Sequence, residues 1–155
     1  MQHCYSRYLM FLLLLPFFIQ MVAIGIDEIY FHYKRGLPLW ERIGHPLDTL
    51  TVISALSYIC LVPYSPFALK IYIGISVFSC VFVTKDEFVH KHYSPAAENW
   101  LHAFLFLLHP IVLTIAGWIW RSFPELMFFL YAQLASMILF CLYQGIYWNV
   151  FYDQQ

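Results

Sequence analysis

DEIYFHYKRGLPLWERIGHPLD, residues 27–48, and DEFVHKHYSPAAENWLHAFLFLLH, residues 86–109, are two polar islands in an otherwise oily chain. Laid over one another, both give Asp-Glu, then a His-Tyr pair, then Pro-x-x-Glu-x-x-x-His. Asp27, Glu28, His32, Tyr33, Pro38, Glu41 and His45 correspond to Asp86, Glu87, His92, Tyr93, Pro95, Glu98 and His102. Seven of the nine acidic residues and six of the seven histidines fall in the islands, a sorting that scattered surface charge does not produce. The pattern predicts an internal duplication whose halves bring carboxylates and imidazoles to one common face.

Outward from the islands the composition is that of a bilayer protein: 62% hydrophobic, 21% aromatic, 11% charged, with mean hydropathy +0.68. A bilayer core takes about 20 apolar residues per helix, and apolar stretches run over 8–26, 50–64, 67–84, 101–120 and 123–148. The expected fold is therefore all-α and integral to the membrane, one domain over 1–155 with five transmembrane helices. Helices 1 and 2 form one hairpin repeat (8–64), helices 3 and 4 the second (67–120), and a fifth helix follows (123–150). Arg7 ahead of an apolar run that ends at Ala23-Ile24-Gly25 loosely resembles a secretory signal. The run is long for one, and it carries Asp27, Glu28 and His32, so the expectation is a retained helix. Cys4, Cys60, Cys80 and Cys141 lack a CxxC spacing and read as packing thiols. A net charge of −1 without a basic run gives no reason to expect nucleic acid.

Prolines punctuate the chain. Pro38, Pro95 and Pro124 are expected as first helical residues, with Ser94 as an N-cap, and Pro63-Tyr64-Ser65-Pro66 as a turn. Pro46 disfavours helical geometry at His45 and predicts a kink or break there. On regular helices Glu28 and His32, Glu41 and His45, and Glu98 and His102 each sit at i and i+4, on one face. His90 is i+3 from Glu87, whereas the repeat selects His92, and both remain open. The expected metal ligands are Glu28, His32, Glu41, His45, Glu87, His90 or His92, Glu98 and His102. Asp27, Asp48, Asp86, His109, Tyr33 and Tyr93 are expected as further ligands or as groups that orient a ligand. Taken singly, each of these residues also reads as an ordinary interfacial polar group; the duplicated spacing is what argues for a common cause. Trp40, Trp100, Trp118, Trp120, Tyr147, Trp148 and Tyr152 read as interfacial belts. Lys34, Arg35, Arg42, Lys85 and Lys91 on the island face outnumber Arg7, Lys70 and Arg121 opposite, which places the islands on the cytoplasmic side and the N-terminus outside.

By ligand type the cluster resembles the carboxylate-histidine di-iron proteins, and its setting is similar to that of integral-membrane desaturases and hydroxylases. The dense HxxxH and HxxHH clusters of those membrane families are missing from this chain, so the likeness extends to the two islands only. The ligand types and the resemblance imply two divalent ions, iron first, with zinc and manganese as alternatives. The implied activity is oxygen-dependent oxidation, hydroxylation or desaturation of a membrane lipid or other hydrophobic substrate, with an electron donor as partner. Zinc in the same ligands implies hydrolysis of a membrane lipid instead. A metal carrier, transporter or sensor is the non-enzyme alternative, and only Gln20, Thr114, Gln133 and Gln144 would continue its polar path across the membrane. A metal that merely ties helices together is the third.

Overall fold

The computed structural model describes residues 2–86 and 94–152, which form five long helices and no strand. Helix α1 covers Gln2–Ile26 and continues through a π turn at Asp27–His32 and a last α-helical turn at Tyr33–Arg35. It stops at Gly36, whose φ of +74° is left-handed and whose absent Cβ would strike the Tyr152 hydroxyl. Helix α2 is Leu39–Leu61, α3 is Pro66–Phe82 with a 3₁₀ turn at Val83–Asp86, and α4 is Ala96–Ser122. A 3₁₀ turn at Pro124–Leu126 leads into α5, Met127–Ile146, which ends in a second π turn at Tyr147–Phe151.

The punctuation follows from the residues. Ser65 caps α3 by accepting the Ala68 N–H at 3.0 Å, with Pro66 at the first helical position. Pro38 and Pro95 each stand one place earlier than expected: both are extended N-caps, with φ/ψ of −64/156° and −64/155°, and the helices begin at Leu39 and Ala96. The break expected at Pro46 does not occur, and α2 is continuous. The N–H that proline lacks would have gone to the Arg42 carbonyl; Asn149 Nδ2 approaches that oxygen at 3.5 Å instead. Thr49 Oγ1 likewise donates to the His45 carbonyl at 3.0 Å.

Four helices are long and apolar enough to cross a bilayer: Met10–Arg35, Pro66–Lys85, Ala96–Ser122 and Pro124–Phe151. This is the composition of an integral membrane protein. The fifth expected span is not among them. The first turns of α2 carry Glu41, Arg42, His45 and Asp48, so its apolar part begins at residue 49 and is short against a hydrocarbon core of about 30 Å. Large apolar side chains face outward, with Phe11, Leu12, Leu61, Leu107 and Phe128 between 62% and 81% exposed, as a lipid-facing surface requires.

Helix α2 packs along α5 and α3, and α1 packs on α4. The tight core lies at the end away from the islands, built from Phe17, Leu56, Ile59, Leu113, Ile119 and Trp120 among others. There Trp120 Nε1 donates to the Val62 carbonyl at 3.0 Å and Tyr131 Oη to that of Cys60 at 3.0 Å, satisfying carbonyls left over at the end of α2. Tyr72 crosses from α3 to bond the Leu113 carbonyl at 2.6 Å; a Cβ at Gly117 would lie 2.7 Å from its ring. With one end locked in this way, the opposite end is held by polar groups.

Candidate metal centre

Three helix ends build the site. The π turn after α1 widens the repeat so that residues five apart, rather than four, share a face. Asp27 and His32 therefore point the same way, with His32 Nε2 3.3 Å from Asp27 Oδ2. Glu98 lies in the first turn of α4, with His102 one turn on, and both side chains are buried. Ligand atoms of Asp27, His32, Glu98 and His102 all lie within 4.8 Å of one another. His102 Nε2 is 3.0 Å from both oxygens of Asp27, and His32 Nε2 is 3.9 Å from Glu98 Oε1. A tetrahedral ion about 2.0–2.1 Å from its donors sets them about 3.3 Å apart, so small shifts would close this quartet on a metal.

Hydrogen positions sharpen the point. His32 Nδ1 is 3.2 Å from Glu28 Oε2, and an ionised carboxylate only accepts, so the proton belongs on Nδ1. Glu28 is held in turn by Trp148 Nε1 from the second π turn. His32 Nε2 is buried, has no hydrogen-bond partner among the described residues and faces two carboxylates; in the neutral ring it is the nitrogen that carries the lone pair. Carboxylate to imidazole to open nitrogen is the arrangement that metal-bound histidines use.

A second group, His32, Glu41 and His45, adjoins the first, and the rings of His32 and His45 stack at 4.8 Å. Between the two groups lies Arg35. Its Nη2 is 2.7 Å from Glu41 Oε2 and 2.7 Å from Glu98 Oε1, and its Nη1 is 3.3 Å from Glu41 Oε1. Ser94 Oγ adds a donor to Glu98 Oε1 at 3.2 Å. Asp27, Glu28, Glu41 and Glu98 are all buried, and Arg35 is a permanent cation paired with two of them, Glu41 and Glu98. Leaving buried carboxylates uncompensated is expensive; protonated histidines or a divalent ion would add compensating charge. The quartet can hold a metal ion.

Of the expected ligands, His32, Glu41, His45, Glu98 and His102 come together here, and Asp27 joins them, whereas Glu28 stands outside both groups as the partner of His32. Glu87, His90, His92 and Tyr93, together with the side chain of Asp86, lie outside the described residues. Asp48 pairs with Lys85 at 2.6 Å, the exposed Tyr33 bonds Tyr147, and neither belongs to a ligand group. His109 belongs to neither group as well; its Nε2 is 3.0 Å from Ser79 Oγ. Sequence reading missed Arg35, counted only among the basic residues of the island face, and Trp148, read as a belt residue. No spacing rule marks either, because their positions depend on the π turns.

Below the cluster a cavity of about 420 Å³ opens between α1, α2, α4 and α5. Asp27, Glu28, His32, His45 and His102 line its top, and Phe17, Val52, Leu56 and Leu113 its lower wall. Its size is that of a pocket for a small organic molecule, about 300–1,000 Å³. No family model, curated protein or solved structure matches this chain.

Proposed function

We propose that this protein is an integral-membrane metalloenzyme that oxidises a hydrophobic molecule with oxygen, using iron held by Asp27, His32, Glu98 and His102. The observation that carries the reading is His32 Nε2, buried without a hydrogen-bond partner among the described residues and facing two carboxylates at the end of a cavity with apolar lower walls. Mixed carboxylate and imidazole donors with room for further ligands are typical of oxygen-activating iron, and iron would supply the redox chemistry. The protein's own contribution is distinct. Glu28 and Trp148 fix the His32 tautomer, Arg35 and Ser94 aim Glu98, and the cavity walls exclude water and align the substrate. An electron donor completes the cycle.

In the two-ion form of this reading a second ion takes Glu41 and His45, and Arg35 must release Glu41 to admit it. We place α2 as a fifth span whose polar first turns sit at the site. The matching cap geometry of Pro38 and Pro95, and the shared grip of Arg35 on Glu41 and Glu98, support the duplication. The excess of basic residues at this end supports a cytoplasmic orientation of the site.

The test is metal content of protein purified in detergent, wild type against an Asp27→Asn, His102→Gln double variant. One equivalent of iron, or two with the second set filled, should be lost in the variant. Oxygen uptake by the Fe(II)-loaded wild type should need a lipid extract. Wild-type protein that retains no metal after reconstitution would overturn the proposal, and stoichiometric zinc with no iron affinity would redirect it to hydrolysis.

A further inference from the structure

One turn of the cavity wall carries a hydrogen-bond relay that the metal chemistry leaves unused. Thr51 Oγ1 donates to the Asp48 carbonyl at 2.7 Å, which spends its single hydrogen. Its 2.7 Å contact with Ser79 Oγ must then be a bond that Ser79 donates. Ser79, its own hydrogen spent, accepts from His109, 3.0 Å away, so the proton sits on Nε2. His109 Nδ1 is thereby left as an acceptor. The polar atom facing it is Gln20 Nε2, a donor 3.5 Å away, at the outer limit of a hydrogen bond.

His109 and Gln20 both line the cavity, and His109 is 5% exposed. Ser79 does not line it and is fully buried, so its contact with the imidazole serves to set the tautomer and does not present a nucleophile. Among the other polar groups of the wall, Thr49 bonds Gln144 at 2.9 Å and Ser136 bonds the Ala132 carbonyl at 2.9 Å, while Gln133 brings a further amide from α5. His109 and Gln20 set one acceptor beside one donor on the cavity wall, with His109 seven residues below His102 on α4 and hence about 10 Å from it along the helix.

We infer that the pair His109 and Gln20 is a subsite for the hydroxyl group of a lipophilic alcohol. A hydroxyl donates to Nδ1 and accepts from the Gln20 amide at once. An ether or a ketone can satisfy only Gln20, and a hydrocarbon neither. A carboxylate has no proton for Nδ1 and would bring negative charge into a cavity already capped by acids. The inference deepens the proposed function, on which it rests for what happens at the metal end: it makes the substrate an alcohol whose reacting carbon lies about 10 Å from its hydroxyl. The subsite itself stands on the cavity and the relay.

Native mass spectrometry of the detergent-purified protein, titrated with tetradecanol or with tetradecyl methyl ether, tests the subsite. Wild type should bind the alcohol about tenfold more tightly than the ether, the value of one well-made hydrogen bond to a buried acceptor. His109→Phe should abolish the preference. Ser79→Ala, a smaller change that frees the tautomer, should reduce it severalfold, and Gln20→Leu should do the same. Equal binding of alcohol and ether by wild type overturns the inference, as does a preference that survives both Ser79→Ala and Gln20→Leu. Metal content, measured on the same samples, separates the two claims. A metal-replete protein indifferent to the hydroxyl would sink the subsite alone, and a metal-free protein that prefers the alcohol would sink the metal reading alone.

Discussion

Replacing Arg35 with methionine removes the cation that both Glu41 and Glu98 share, at 2.7 Å from Nη2 in each case, while keeping most of the side chain's apolar length. Both carboxylates are fully buried, and the Arg35 side chain is 18% exposed, so solvent screens the pairs only in part. A unit charge about 4 Å from another is worth about 4 kcal/mol at an effective dielectric constant near 20. Breaking a buried pair by deleting one partner costs about 3–5 kcal/mol, because the other charge stays behind. Two carboxylates share one arginine here, and protonation of one of them relieves part of the loss, so about 4 kcal/mol is expected for the whole change. At about 2–4 °C per kcal/mol for a chain of this size, the melting temperature in chelator should fall by about 10 °C. With metal bound, Glu98 has a second cation, and the penalty should shrink. Arg35→Lys retains the charge but cannot fork to both acids, and should fall between wild type and Arg35→Met. Thermal unfolding in detergent, followed by tryptophan fluorescence with and without chelator, gives the melting temperatures of all three proteins in both states. Equal melting of Arg35→Met and wild type in chelator would refute the buried clamp.

Trp148→Phe should free Glu28 and loosen the His32 tautomer, weakening metal affinity about 10–100-fold in a competition with a chromogenic chelator while leaving helix content unchanged by circular dichroism. Gly36→Ala forces a methyl into left-handed backbone and into the Tyr152 hydroxyl, and should cost more than about 1 kcal/mol in thermal unfolding, with Tyr152→Ala recovering the clash but not the backbone strain. Saturating metal at about 100 times its dissociation constant should stabilise the wild type by about 2.7 kcal/mol, and the Asp27→Asn, His102→Gln variant should show no such gain.

The helix starts were legible because they depend on local chemistry: Ser65 and Pro66 start α3, and Pro38 and Pro95 mark the two other starts near the site. The meeting of Glu41, His45, Glu98 and His102 with His32 was legible in kind, since buried acids and histidines require one another. The roles of Asp27 and Glu28 were not. A 3.6-residue period puts Glu28 with His32 and turns Asp27 away, whereas the π turn brings Asp27 into the quartet and leaves Glu28 behind His32. The same geometry at Tyr147–Phe151 carries Trp148 to Glu28 from a position that otherwise reads as a belt. Such turns have no composition signature, and they become visible only once the opposing helix supplies a partner for the side chain they redirect.

The starts of α2 and α4 show how the site acquires its direction. Their caps agree within a degree, each glutamate N–H reaches its proline carbonyl at 3.0 Å, and each glutamate is fully buried on Arg35. From these two starts alone the site would have two equal halves. Helix α1 breaks that equality: it sets Asp27 beside His102 but only the ring of His32 against His45. The α4 side thus gains a second carboxylate and a complete set of four donors, while the α2 side offers three and shares one of them. Arg35 holds both Glu41 oxygens but only one of Glu98, so a cation on the α4 side would leave the two-point grip of Arg35 on Glu41 intact. That side also carries His109 on the same helix, so a metal held there and the cavity wall would be aligned by one element.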